Sequence, residues 1–223
     1  SRGLGDVYKR QNHYYILSMS NFFKNSDIDA SQAEAIVTET LKNCDDGELY
    51  LENHKSESIV LDDNKIKSST YNSDQGYGFR AVTGEVVAYS HSNDISKESL
   101  KKSSDNLKDT LKSKKGTYNH EIPKTNSKYY ENINPIENKT FNSKIDLLNN
   151  VNNYLRSKGS IVNQVTANFL GEHKSVEIIR SDNQVLKDDR PLVRFNVSVV
   201  LEKDGKKETG VYGVGGRQSY DDY

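Results

Sequence analysis

Residues 74–90, DQGYGFRAVTGEVVAYS, hold the pattern that most restricts the fold. A run of Tyr, Phe, Val and Ala is interrupted there by Gly76, Gly78 and Gly84. The apolar types fit a pleated, half-buried surface, and glycine inside such a run marks a bend, a bulge or a close backbone approach. The stretch therefore reads as paired β-strands. A second such region lies towards the other end. Val193, Phe195, Val197 and Val199 alternate with Arg194, Asn196 and Ser198, which predicts one buried and one polar face, with the four apolar residues as the best-buried set of this half. Asp204 and Gly205 follow, the residue types that a type I′ hairpin demands.

Helical spacing occurs in three places. Over 27–43, Ile28, Ala33, Ile36, Val37 and Leu41 recur at helical intervals, with Asn25, Ser26 or Asp27 as N-cap. Over 94–112 the same period runs through Ile95, Leu100, Leu107 and Leu111, behind Asn93 or Asp94. Over 143–158, Ile145, Leu148, Val151 and Leu155 form a stripe that Leu147 and Tyr154 widen, and Gly159 marks the stop. Strands are expected from Leu49 to Val87 in short runs, then over 160–170, 174–181, 191–202 and 206–213. The order predicts an α+β fold in which a helix plus antiparallel meander occurs twice. The two similar halves are 12–115 and 143–223, joined by a linker over 116–142. Residues 1–11, SRGLGDVYKRQ, carry no amphipathic period and read as a translated sequencing adaptor that adds nothing to the fold.

Composition narrows the function classes. The 223 residues are 33% hydrophobic and the mean hydropathy is −0.84, so the core is expected to be thin or completed by another segment. With 31 basic and 32 acidic residues, no net field favours nucleic acid or an anionic membrane. No window reaches the roughly 18 apolar residues of a membrane span. Cys44 is the one cysteine, which rules out an internal disulfide and suits a cytoplasmic address.

Candidate chemistry is sparse. His13, His54, His91, His120 and His173 are scattered, and Cys44 has no nearby cysteine. A self-contained zinc site, which needs about three ligands at short spacing, is therefore not expected. Cys44, followed by Asp45 and Asp46, would have its thiolate disfavoured. Gly213, Gly215, Gly216 and Arg217 invite a phosphate-loop reading, but the segment lacks the lysine and hydroxyl of such a loop. Two readings of these glycines remain: an exposed backbone along which an extended peptide pairs, or a bulged edge. Asp74 and Arg80, six apart and so on one face of an extended strand, form either an ion pair that fixes the hairpin or a substrate contact.

Four blocks in order carry a family resemblance: ESIVLDDNKIKSSTY at 57–71, DQGYGFRAVTGEVVAYS at 74–90, DDRPLVRFNVSVVLEKDGKKETG at 188–210 and GVGGRQSYDD at 213–222, with DQGYGFRA and RPLVRFNVSV as the signatures of the middle two. Together they resemble the amino-terminal half of the metal-bearing TldD branch of the TldD/PmbA zinc metallopeptidases, over roughly 45–106 and 143 to the end. The resemblance implies a cytoplasmic enzyme acting on small or unfolded peptides in a closed cavity, as a heterodimer with a PmbA-type paralogue. It also implies that the zinc motif, HExxxH, lies beyond Tyr223. This chain would then wall the cavity and contact the partner, bind no zinc and carry no catalytic residue. The competing reading is a non-enzymatic α+β module that captures extended peptides or a partner protein.

Overall fold

The computed structural model describes residues 21–112, 116, 129–180 and 184–220. Residues 1–11, His13 and His120 lie outside them. A short 3₁₀ turn, Asn21–Phe23, leads into α1 (Ala30–Leu41), β1 (Asp46–Asp62), β2 (Lys65–Thr83), β3 (Val86–Ser92) and α2 (Lys97–Leu111). Then come α3 (Phe141–Arg156), β4 (Val162–Arg180), β5 (Val185–Lys203) and β6 (Lys206–Gly216). The fold is α+β. The six strands are hydrogen-bonded in the order β3-β2-β1-β4-β5-β6.

The first two helices start later than the sequence suggests and α3 starts two residues earlier, for a reason visible in their caps. Asp29 caps α1 in a reciprocal box with Gln32: the Gln32 amide donates to Asp29 at 2.8 Å, and the Asp29 amide donates to the Gln32 side chain at 3.2 Å. Asp27, an expected cap of that helix, instead accepts the Lys97 amide at 2.8 Å, at the start of α2. Ser26 donates to the Ile95 carbonyl. Ser96 and Thr140 cap α2 and α3.

The strands differ more. The expected break between 170 and 174 is absent, and β4 runs unbroken over 19 residues. Gly171 does not end the strand; it seats an aromatic residue. A Cβ there would lie 1.9 Å from the Tyr220 hydroxyl oxygen. Likewise β2 runs through Gly76 and Gly78 without interruption. The turn from β1 to β2 has positive φ at Asp63 (51°) and Asn64 (69°), and that from β5 to β6 at Asp204 (51°) and Gly205 (73°), as two-residue primed turns require.

The chain forms two compact units, neither a consecutive piece. The first takes its described residues from 1–51, 76–121 and 177–186. Its core joins Val37 and Leu41 of α1, Leu49 and Leu51 of β1, Phe79 and Ala81 of β2, and Leu100 and Leu107 of α2. Cys44 is buried there. Burial pushes its thiol up, a Thr83 hydrogen bond opposes this and the Asp45 charge adds to it, so it stays protonated.

The second unit takes its described residues from 52–75, 122–176 and 187–223. Its core joins Ile59 and Leu61 of β1, Leu148 of α3, Ala167 and Phe169 of β4, Val193 and Tyr220. The expected apolar set on β5 is corrected here. Val193 is buried, whereas Phe195 and Val197 pack only partly against the cluster and Val199 is half-buried; the best-buried run is Val165, Ala167 and Phe169 on β4. Those residues lie on a strand in the middle of the six-strand order, whereas β5 is one strand from the edge formed by the exposed β6. Helix α3 holds another difference. Its buried line is Lys144, Leu148 and Asn152, rotated from the aliphatic stripe because each polar residue finds a partner. Lys144 pairs with Glu57, and Asn152 donates to Asn64 at 2.6 Å.

Candidate functional site

The structure gathers the predicted glycines and Arg217 into one place, the end of β6. This strand closes one edge of the sheet. It pairs with β5 in an antiparallel register from Lys203 opposite Lys206 to Val193 opposite Gly216. Residues 206–213 are exposed, and Val211 and Tyr212 are among the most exposed large apolar residues described, at 80% and 68%. An edge strand in this state offers one row of backbone donors and acceptors to another extended chain.

One of the glycines also has an internal reason. A Cβ at Gly215 would sit 2.5 Å from the Val193 carbonyl oxygen, and one at Gly213 would sit 2.8 Å from Asn196 Oδ1. At Gly213 the Asn196 side chain can swing aside, but at Gly215 a side chain would collide with the β5 backbone. Gly215 is thus required by strand pairing whether or not a peptide approaches.

Arg217 is held by its own unit. Nη1 donates to the Pro191 carbonyl at 3.3 Å, and the guanidinium lies 5.2 Å from the centre of the Tyr130 ring. Tyr130 in turn donates to both Asp188 oxygens, at 3.1 and 3.2 Å, and Arg190 pairs with Asp188 at 2.6 Å. Burial first, then the Asp188 carboxylate, pushes the Tyr130 phenol up. This arrangement ties residue 130 to the start of the 188–210 block.

Asp74 and Arg80 are not brought together as an ion pair. Asp74 is exposed, whereas Arg80 uses Nε and Nη2 on Glu48, both at 2.7 Å, and Nη2 also reaches Asp46 at 2.6 Å. Arg180 reaches the other Asp46 oxygen at 2.5 Å. Burial alone would raise the Asp46 pKa. The Arg80 hydrogen bond and the charges of Arg180 and Arg80 outweigh burial and hold it below the usual carboxylate range. Arg80 is therefore a cross-strand clamp, and the spacing within β2 gave no sign of partners on β1.

The histidines pair singly. His54 Nε2 lies 3.6 Å from Glu172, and His173 Nε2 lies 3.8 Å from Asp189. Asp189 is already occupied by Ser175 and Asn132, each donating at 2.6 Å. Burial first, opposed in part by Asp189, holds the His173 pKa below its ordinary value. Among the described residues no group of three His, Cys, Asp or Glu side chains could hold a metal ion. These residues do not fit a zinc centre.

Known proteins give this geometry a context. The sequence profile of PmbA/TldA metallopeptidase domain 1 matches residues 47–112, and that of the PmbA/TldA metallopeptidase central domain matches 134–223. The chain belongs to the PmbA/TldD family. It is 34% identical over 205 residues to a metalloprotease TldD homologue of Buchnera aphidicola, covering 91% of this chain and 42% of that protein. It is also 34% identical over 186 residues to the metalloprotease TldD homologue of Haemophilus influenzae, covering 81% of this chain and 38% of that protein. The chain thus spans less than half the length of these TldD relatives. In fold it is similar to the crystal structure of TldE from Thermococcus kodakarensis, with a TM-score of 0.60 at 12% identity, over 83% of this chain and 43% of that one. No helix among the described residues is long and apolar enough to cross a membrane.

Proposed function

We propose that this chain is the peptide-handling part of a cytoplasmic TldD-type zinc metallopeptidase: it walls the cavity in which small or unfolded peptides are cut and meets a PmbA-type paralogue in a heterodimer. The observation that carries the reading is β6, an exposed edge strand ending in Gly213, Gly215 and Gly216. An extended peptide that adds to such an edge is held by main-chain hydrogen bonds, which every sequence can make. That suits an enzyme acting on unfolded chains. On this reading the zinc is held by residues outside this chain, and His54 and His173 serve instead as partners of Glu172 and Asp189.

The test uses the full-length protein bound to its PmbA-type paralogue and an unfolded peptide as substrate. Cleavage should occur, stop on chelation and return with added zinc. Cleavage that survives chelation would contradict a metallopeptidase. A complex that binds the peptide and cuts none of it would leave the chain as a binding module instead.

A further inference from the structure

The polar face of β5 forms a concave surface within the second unit. Thr166 and Asn168 of β4, Arg194, Asn196 and Ser198 of β5, and Gly213 of β6 border a shallow trough of about 500 Å³. No acidic residue lines it. The register sets Arg194 opposite Gly215 and Asn196 opposite Gly213, so the longer side chains of β5 lie beside residues of β6 that add no bulk.

Arg194 is the distinctive member. Its Nε donates to Asn196 Oδ1 at 3.0 Å, which steadies the guanidinium and leaves the terminal nitrogens unspent. The other described arginines are committed. Arg80, Arg156, Arg180 and Arg190 each pair with a carboxylate, and Arg217 lies over Tyr130. Among the described residues no carboxylate pairs with Arg194. An arginine fork of this kind matches a carboxylate in two parallel hydrogen bonds. The neutral liners Asn168, Asn196 and Ser198 can both donate to and accept from peptide amides.

We infer that the trough is a carboxylate-binding site for an extended peptide, with Arg194 as its recognition residue. The carboxylate is the peptide's carboxy-terminus or an acidic side chain. The inference rests on the peptide-handling reading above and adds a chemical class to it. Charge complementarity carries the choice of ligand: one uncommitted cation stands in a trough whose other liners are uncharged, the polar ones joined by Val197, Val211 and Tyr212.

The experiment is a titration of the 223-residue chain with three amino-acetylated, alanine-rich hexapeptides. One ends in a free carboxylate, one is its amide, and one is the amide with a single Glu. The free acid should bind about tenfold more tightly than the plain amide, as expected for a hydrogen bond to a charged group. Arg194→Gln should abolish that difference without moving the thermal midpoint, and Arg194→Lys should restore only part of it. If the Glu-containing amide binds like the acid, the site reads side-chain carboxylates; if it binds like the plain amide, the site reads the terminus. Equal affinity of all three peptides for the parent chain would overturn the carboxylate site while leaving peptide binding intact. Failure of all three to bind would remove both readings. A difference that persists in Arg194→Gln would place the carboxylate elsewhere.

Discussion

At the scale of single residues, Lys144 shows how a polar side chain can occupy a core position. It is 3% exposed, pairs with Glu57, donates to the Ile136 carbonyl at 2.7 Å and lies 5.9 Å from the centre of the Tyr220 ring. Burial first, and then the Glu57 charge, pushes the Tyr220 phenol up, so this ring remains neutral beside the pair. A buried ion pair adds little over an apolar replacement, but losing one partner leaves a charge uncompensated. Lys144→Met should therefore cost about 3–5 kcal/mol in urea unfolding. Adding Glu57→Gln should recover part of that loss. Equal stabilities of the single and double variants would show that Glu57 is not held as a buried charge. Arg80 makes the same point on a more exposed surface: its role follows from Asp46 and Glu48 on the neighbouring strand, which no spacing within its own strand reveals.

At the scale of elements, the inner strand β4 outweighs β5. Phe169 is fully buried against Tyr220, with ring centres 3.7 Å apart, whereas Phe195 packs only partly. Phe169→Ala should cost about 3–5 kcal/mol, and Phe195→Ala clearly less, in the same unfolding measurement. Equal costs would mean that β5 is covered as fully as β4. What the sequence made legible was local. The three helices and the Asp204-Gly205 turn follow from periodicity and turn chemistry, and both act within a few residues. The length of β4 was not legible, because glycine in a strand pattern reads as a break unless the residue packed against it is known. Tyr220 is 49 positions from Gly171. The rotated face of α3 escaped for the same reason: Lys144 and Asn152 are buried by Glu57 and Asn64, about 90 positions away. Of the candidate site, the glycines were legible as an edge, while the trough beside them was seen only as the solvent face of an alternating strand. The signal was present in Arg194, a cation on that face between two uncharged neighbours.

At the scale of the whole molecule, two units are built from interleaved stretches of one chain, and the second ends in an edge strand exposed over residues 206–213. Family membership places this chain against the first and central domains of metallopeptidases more than twice its length. On the proposed reading the edge and trough hold peptide, and the zinc chemistry is supplied by another part of the protein. Blocking the edge by Gly215→Val would be a poor test, because the new side chain would collide with the Val193 carbonyl and loosen β6 itself. Amide hydrogen exchange reads the edge without altering it. With the amino-acetylated free-acid hexapeptide present in excess, the amides of β6 over 211–216 should exchange more slowly, while those of α1 and α2 are unchanged. Exchange across β6 that is the same with and without saturating peptide would contradict the account.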